Sequence, residues 1–469
     1  MRLAAHDARV AHDLACLNWG EPDWLVPRQH ADGHVFDVAI VGGGQSGLGA
    51  AFGLKRERIS NLIVLDECRA GYEGPWDTYA RMATLRTPKH LSSVDFGIPS
   101  LTFRAWWEAQ YGDEGWAAIG KIPRRDWMAY LRWYRRILDL PVRNDAKVVL
   151  VEPLGGIHRL QLADGDTLLA RKVVFATGIH GGGQWHVPDM VREAVAPQRY
   201  AHTADDIDYA AIAGKRIAIL GGGASAFDNA CAALESGVAA AHVFLRRPAI
   251  PRVNPIRFME RAGVLPRYPI LRDDQKYALM ATFFGHAMPP TVDMFERAAA
   301  LPGFDLRLGA PWLSLREIGS EIEVETPQGR DRYDFLVLST GLVTDPSLRP
   351  ELAQVHDKIA RWRDHYAPPE GTANALIDAY PYLGRAFEYL PRRHEDRELL
   401  HGLFAFNYSS LISVGLSASA ISGLGHALPR LVKGVADQLF ADDAEPILDA
   451  FRAFDEHEFT ATWPRGEAA

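Results

Sequence analysis

Two glycine-rich runs hold the residues of this 469-residue chain whose types and spacing most clearly suggest chemistry. The first is Gly42-x-Gly44-x-x-Gly47, which follows directly on the apolar run Phe36 to Val41. Glycine at the first position permits a tight turn out of a strand. At the second it lets a pyrophosphate approach the backbone, and at the third it lets helix and strand pack closely. The helix start that follows, with Gln45 and Ser46, supplies amide donors and a positive dipole end. About two dozen residues on stands a carboxylate, Asp66 with Glu67 beside it, at the distance where a ribose hydroxyl is held. The pattern predicts dinucleotide binding; a tight packing turn with no ligand is the alternative.

The second run is Gly221-x-Gly223-x-x-Ala226, entered from Arg216 to Leu220 and containing Ala224 and Ser225. At the ribose-reading distance it has Arg246 and Arg247 instead of an acid. A carboxylate there accepts from a 2′-hydroxyl and repels a 2′-phosphate, whereas arginine forks onto the phosphate. The first loop therefore suits FAD or NAD and the second NADPH. A solvated strand end is the other reading of the two arginines.

The elements that must position these loops repeat with a period of about 180 residues, far longer than a solenoid array. A strand precedes each loop, a small-residue helix follows, and a second strand comes next: Leu62 to Leu65, then His242 to Leu245. Short strands at 147–152, 157–162, 167–170 and 173–175 lead into Ala176-Thr177-Gly178; others at 312–315, 321–325 and 335–338 lead into Ser339-Thr340-Gly341. Turn signals between them predict two β-meanders. Apolar spacing predicts a helix over 125–138, with its arginines on a solvated face. The expected fold is α/β, with two Rossmann-like dinucleotide-binding domains, each with a small β-meander.

Composition removes several classes. The net charge of −8 argues against a phosphate-neutralising nucleic-acid surface. Cys16, Cys68 and Cys231 form no closely spaced pair, which removes a local redox dithiol and a thiolate zinc site and suggests a reducing compartment. His30 and His34 straddle Gly33 outside any helical pattern, and no HExxH occurs, so no metal is expected. The N-terminus is too charged for a secretory signal, leaving a cytoplasmic location as the expectation. Residues 402–429 hold no charged side chain but carry Ser409, Ser410, Ser413, Ser417, Ser419 and Ser422, and read as a buried closing helix and not a membrane span. The aromatic-rich stretch 95–135 is the compositional candidate for shaping a substrate pocket.

Two fingerprints interrupted by meanders ending in Thr-Gly resemble the two-dinucleotide-binding-domain flavoproteins over roughly residues 35–435. Without the cysteine pairs of the disulfide reductases, the chain is most similar to the flavin-containing monooxygenases (class B), a group that includes N-hydroxylases. Glu73-Gly74-Pro75-Trp76 resembles their Gly-Gly-x-Trp loop, and Thr84 to Pro88 their isoalloxazine-facing stretch. The resemblance implies flavin contacts at Trp76 and Thr87, an adenine contact by the backbone at Val148, and cofactor contacts at Gly178 and Gly341. It offers three catalytic candidates. Arg86 stands where animal members have a ring-side Asn, while Asn254 and Ser409 fall in short stretches like those of N-hydroxylases; a turn or helix cap is the alternative for the last two. The F-x-G-x-x-x-H signature places its His at His202, with Ala196 and Gln198 where Phe and Gly belong.

From this likeness follow an FAD domain at 30–190 and 335–440, an NADPH domain at 191–334, and terminal extensions at 1–29 and 441–469. The implied reaction uses FAD, NADPH and O2 to insert one oxygen atom into a small nucleophilic substrate through a C4a-hydroperoxyflavin, by N- or S-oxygenation or N-hydroxylation. The alternatives are an NADPH-dependent reductase passing electrons to a quinone or other acceptor, and a non-catalytic dinucleotide sensor.

Overall fold

In the computed structural model, residues 2–91, 94–286, 288–418 and 420–461 are described. Ser419 and the last part of the expected C-terminal extension, 462–469, lie outside them. The strand Gly33–Val41 runs parallel to Leu62–Leu65 on one side and Thr167–Phe175 on the other. Val38, Ala39 and Ile40 are fully buried, as a strand covered on both faces requires. Ile157–Leu162 and Val148–Leu154 extend the sheet antiparallel, giving the first meander.

Sequence reasoning splits Thr167–Phe175 at Arg171 and Lys172, but the strand is continuous. Both charges are buried and paired. Arg171 meets Asp37 at 3.1 Å and Asp443 at 2.8 Å, and Lys172 meets Asp442 at 2.8 Å. Buried charges persist only when so compensated, and the partners lie far away in sequence. The expected C-terminal extension therefore does not begin at 441, because Asp442 and Asp443 anchor the first sheet. The N-terminal stretch is no free extension either. Helix Arg2–Ala15 buries Val10 and Leu14 in the first core, and Asp7 accepts from Trp133 Nε1 at 2.7 Å.

The second unit is a parallel sheet in the order Phe304–Leu308, Ala240–Leu245, Arg216–Leu220, Phe335–Leu338, Tyr200–His202. Phe335–Leu338 thus belongs to the second unit and not, as the boundary at 335 has it, to the first. The second meander is Ser314–Ile318, Glu321–Thr326 and Gly329–Tyr333; its third strand is polar and largely exposed, which hid it from apolar patterning. The chain passes between units on Gly183–Trp185 and Leu342–Thr344, which pair antiparallel. These paired crossings mark the boundary more sharply than composition does.

Residues 402–429 do not form one closing helix. They contain the strand Leu403–Phe404 and the short turns Tyr408–Ser410 and Leu411–Val414, and only then a helix, Ile421–Asp442, which continues through Pro429. That helix packs on Gln45–Arg56, where a Cβ on Gly49 would lie 2.5 Å from Leu428 and one on Gly53 2.5 Å from Val432. Gly49 serves helix packing, not a phosphate. No helix among the described residues is long and apolar enough to cross a membrane.

Candidate active site

A cleft of about 1720 Å³ lies between the units and is lined by both glycine loops. Single-ligand pockets span about 300–1000 Å³, so there is room here for more than one large ligand. The reason lies in the topology: each loop leaves its sheet where strand order reverses, and the two reversals face one another.

The first loop is an open backbone cradle. Gly42 has φ +106°, and a Cβ there would lie 2.5 Å from the carbonyl oxygen of Ala176. A Cβ on Gly47 would overlap the carbonyl oxygen of Gly42. Gly44 differs, because its Cβ direction opens on the cleft and meets nothing nearer than Gly74 Cα at 3.9 Å. The side chains of Gln45 and Ser46 are engaged elsewhere, with Trp127 Nε1 and the carbonyl of Ala418, leaving their backbone amides as the donors. Asp66 lines the cleft, yet one oxygen accepts from Gly43 N at 2.6 Å and the other from Cys68 N at 2.8 Å. It braces the loop, and burial raises its pKa despite those amides. Glu67, beside it, pairs with Lys147 at 2.9 Å.

Further along the first unit's side of the cleft lie Trp76, Thr87, Val148 and Gly178. The Trp76 indole N–H is buried and has no protein partner, the kind of orphan a bound cofactor would satisfy. The loop carrying it is clamped by helix Arg124–Ile137. Arg135 reaches Glu73 and Asn144 at 2.7 and 2.9 Å, and Arg132 reaches Asp77 at 2.6 Å. The expectation of a solvated arginine face holds for Arg136, which is exposed, and is corrected for Arg135, which is drawn in to shape the flavin-side loop.

On the second side, Gly221 has φ +109° and Gly223 meets nothing within 4 Å, repeating the open cradle. Ala224, Ser225, Arg246, Arg247 and Gly341 all line the cleft. Arg246 is exposed at its strand end, and Arg247 donates to the carbonyl of Gly285 at 3.1 Å.

The three catalytic candidates separate. Arg86 lines the cleft and its Nη2 donates to Asp228 Oδ2 at 2.6 Å. Asn254 also lines it, but its Oδ1 accepts from Ile256 N and caps helix Pro255–Met259. Ser409 is 1% exposed, does not line the cleft, and donates to Asn407 Oδ1 at 2.7 Å. It is a packing residue behind Gly182, which corrects its catalytic assignment.

Sequence spacing gave no signal for the remaining walls. Arg81, Trp185, Arg257, Glu260, Phe283 and Phe284 line the cleft from a loop, a crossing strand, the short helix Pro255–Met259 and its end, and the longer helix Asp273–His286. The aromatic stretch 95–135 contributes none of its residues there. Phe103, Trp106, Trp127 and Tyr130 pack on one another as a core, because rings so closely spaced bury one another first. His202 stacks on Trp185 at 4.8 Å, and burial pushes its pKa down to about 4. Cys68 also lines the cleft, but burial and its acidic neighbours push its thiol up to about 12, so it supplies no thiolate near neutrality. Among the described residues no cluster of His, Cys, Asp and Glu could hold a metal.

A family model described as pyridine nucleotide-disulphide oxidoreductase matches residues 39–254, which contain both loops. The FAD-dependent urate hydroxylase of Xanthomonas campestris pv. campestris is 59% identical over 99% of both chains. The FAD-containing monooxygenase EthA of Mycolicibacterium smegmatis is 26% identical, over 47% of this chain and 44% of its own. Among solved structures, ornithine hydroxylase PvdA from Pseudomonas aeruginosa superposes with a TM-score of 0.68 at 18% identity, covering 86% of this chain and all of its own. The ornithine N-hydroxylase of Kutzneria sp. 744, solved with reduced FAD, NADP+ and L-ornithine, also gives 0.68, at 16% identity over 86% of this chain and 99% of its own.

Proposed function

This chain belongs to the family of FAD-dependent flavoprotein hydroxylases and monooxygenases, and we propose that it hydroxylates urate or a closely similar oxopurine at the expense of NADPH and O2. The observation that carries this reading is the end-to-end match, at 59% identity, to a protein named for that activity. The ornithine hydroxylases share the fold at 16–18% identity and carry no argument about substrate.

The balanced reaction takes substrate, NADPH, a proton and O2 to hydroxylated product, NADP+ and water. The bound nucleotides supply hydride transfer and oxygen activation; the protein supplies position, charge and exclusion of water. At the first loop, the amides from Gly44 to Gly47 face where a pyrophosphate would lie, and the Trp76 N–H has an unfilled donor position. At the second, Arg246 and Arg247 stand where a 2′-phosphate would be read. Urate is a flat ring system, and the walls offer flat apolar partners in the rings of Phe283 and Phe284, with Arg257 beside them paired to Glu260 at 2.8 Å. The protein needs no nucleophile of its own, in keeping with the protonated thiol of Cys68. A disulfide-reductase role lacks its dithiol, since Cys16, Cys68 and Cys231 include no closely spaced pair.

The test is NADPH and O2 consumption by the purified holoprotein with urate, and separately with ornithine or another primary amine. Urate should accelerate both at one-to-one stoichiometry while its ultraviolet absorbance is lost. Stimulation by the amine and none by urate would sink the oxopurine assignment.

A further inference from the structure

Two arginines on the flavin-side segment reach across the cleft, Arg86 to helix Ala224–Glu235 and Arg81 to the 207–209 stretch that is hydrogen-bonded to the same helix. Arg86 Nη2 donates to Asp228 Oδ2 at 2.6 Å, with the Asp228 side chain 10% exposed. Arg81 lies over the ring of Tyr209 at 5.8 Å and donates to the carbonyl of Ile207 at 3.1 Å. Tyr209 in turn donates to Asn229 Oδ1 at 2.7 Å, and Asn229 donates to the carbonyl of Ser225 at 2.8 Å. Asp228, Asn229 and Ser225 all belong to helix Ala224–Glu235, which begins at the second glycine loop. From the other side, Arg257 donates to the backbone oxygen of Arg86 at 3.1 Å, so the segment is held where it meets Asp228.

The ion pairs around Arg171 tie together parts of the first unit, whereas Arg86–Asp228 joins the two units. The pair is buried at Asp228 and half-buried at Arg86, and removing the arginine leaves a buried carboxylate uncompensated. It therefore serves to hold a geometry. We infer that Arg86 is a positioning residue: with Asp228, and with Arg81 through Tyr209 and Asn229, it fixes the start of helix Ala224–Glu235 against the Trp76–Thr87 segment and so sets the approach of the second nucleotide to the first. This rests on the reading that the second loop takes NADPH. Arg86 Nη2 is the atom bound to Asp228, while its buried Nε has no protein partner and is left to a ligand in the cleft.

The experiment uses holoprotein carrying R86Q, D228N, both together, or R86K. Misplacement by about 1 Å can cost on the order of 10²-fold in rate. Flavin bleaching by NADPH should slow by that order in R86Q and D228N, and by no more in the double variant, while bleaching by dithionite is unchanged and R86K recovers most of the rate. Because rate alone could reflect a damaged site, hydrogen exchange is followed in parallel. Peptides covering 224–235 should exchange faster in R86Q and D228N, with the first sheet unaffected. Unchanged exchange at 224–235, or additive losses in the double variant, would overturn the inference. Failure of NADP+ to bind the unmodified holoprotein by calorimetry would instead overturn the NADPH reading, leaving the exchange result to decide the positioning role.

Discussion

The two glycine loops are near copies in backbone and opposites in chemistry. Gly42 and Gly221 share a φ near +106° to +109° and the same crowding by a carbonyl from the neighbouring strand, of Ala176 in one and Ser339 in the other. Gly44 and Gly223 both open on the cleft. The difference lies at the third position and at the end of the next strand. Gly47 has no room for a methyl group, whereas Ala226 carries one and is fully buried. The first loop is braced by a buried carboxylate, while the second faces two arginines. The strand-turn-helix geometry thus imposes the shared features, and the side chains outside the loop decide which nucleotide each cradle suits.

That contrast breaks most severely at its third position. Gly47→Ala places a methyl group against backbone that cannot yield, and should destabilise the protein by about 3 kcal/mol or more; the check is soluble yield and thermal unfolding. A variant that melts like the parent would remove the packing role of Gly47. Next in size, Gly44→Val should yield folded protein without yellow colour, since the side chain enters only cofactor space. Gly223→Val should stay yellow but resist bleaching by NADPH. Flavin loss in both, or in neither, would show that the cradles do not divide the cofactors as assigned.

Replacing Arg246 and Arg247 together by Ala removes charge-assisted contacts of about 1.5–3 kcal/mol each, so KM for NADPH should rise by at least about tenfold. KM for NADH should move less than about threefold if only the 2′-phosphate is read there. Equal shifts would refute the phosphate reading.

A smaller effect compares buried imidazoles in the two units. Burial pushes the pKa of His158 and of His202 from near 6.5 down to about 4. Their native rings are neutral, so their contribution to stability is complete above about pH 6.5 and is lost as pH falls toward 4, when only the unfolded chain protonates readily. Melting temperature should decline through that window, and His158→Gln should flatten the decline. A profile unaffected by that substitution would exclude His158 as a source. The smallest effect is Ala226→Gly, which should cost about 1 kcal/mol through helix propensity, against the collapse expected at Gly47.

How far the sequence could be read follows from the range of the interactions. Both loops, both parallel strand pairs and the helix at 124–137 were legible because turns, apolar runs and 3.6-residue spacing act within a few residues. Asp66 was placed correctly in the cleft, but its bonds to the amides of Gly43 and Cys68 were not legible, because they depend on rotamer and burial. Thr167–Phe175 was split because Arg171 and Lys172 look like a break until their carboxylates, some 270 residues away, are in place. The aromatic stretch was expected to wall the cleft but packs as a core behind the first loop, since composition records how much apolar surface must be buried and not against what.

By itself, then, the sequence determined that two anion cradles exist, which one is acidic and which basic at the strand end, and that no close cysteine pair joins them. Only the tertiary structure decided that Ser409 packs away from the cleft, that Asn254 caps a helix and that Arg86 pairs with Asp228. The physical reason is that a backbone cradle is built by consecutive residues, whereas whether a side chain faces a cleft, its own backbone or a distant charge depends on what the rest of the chain packs around it.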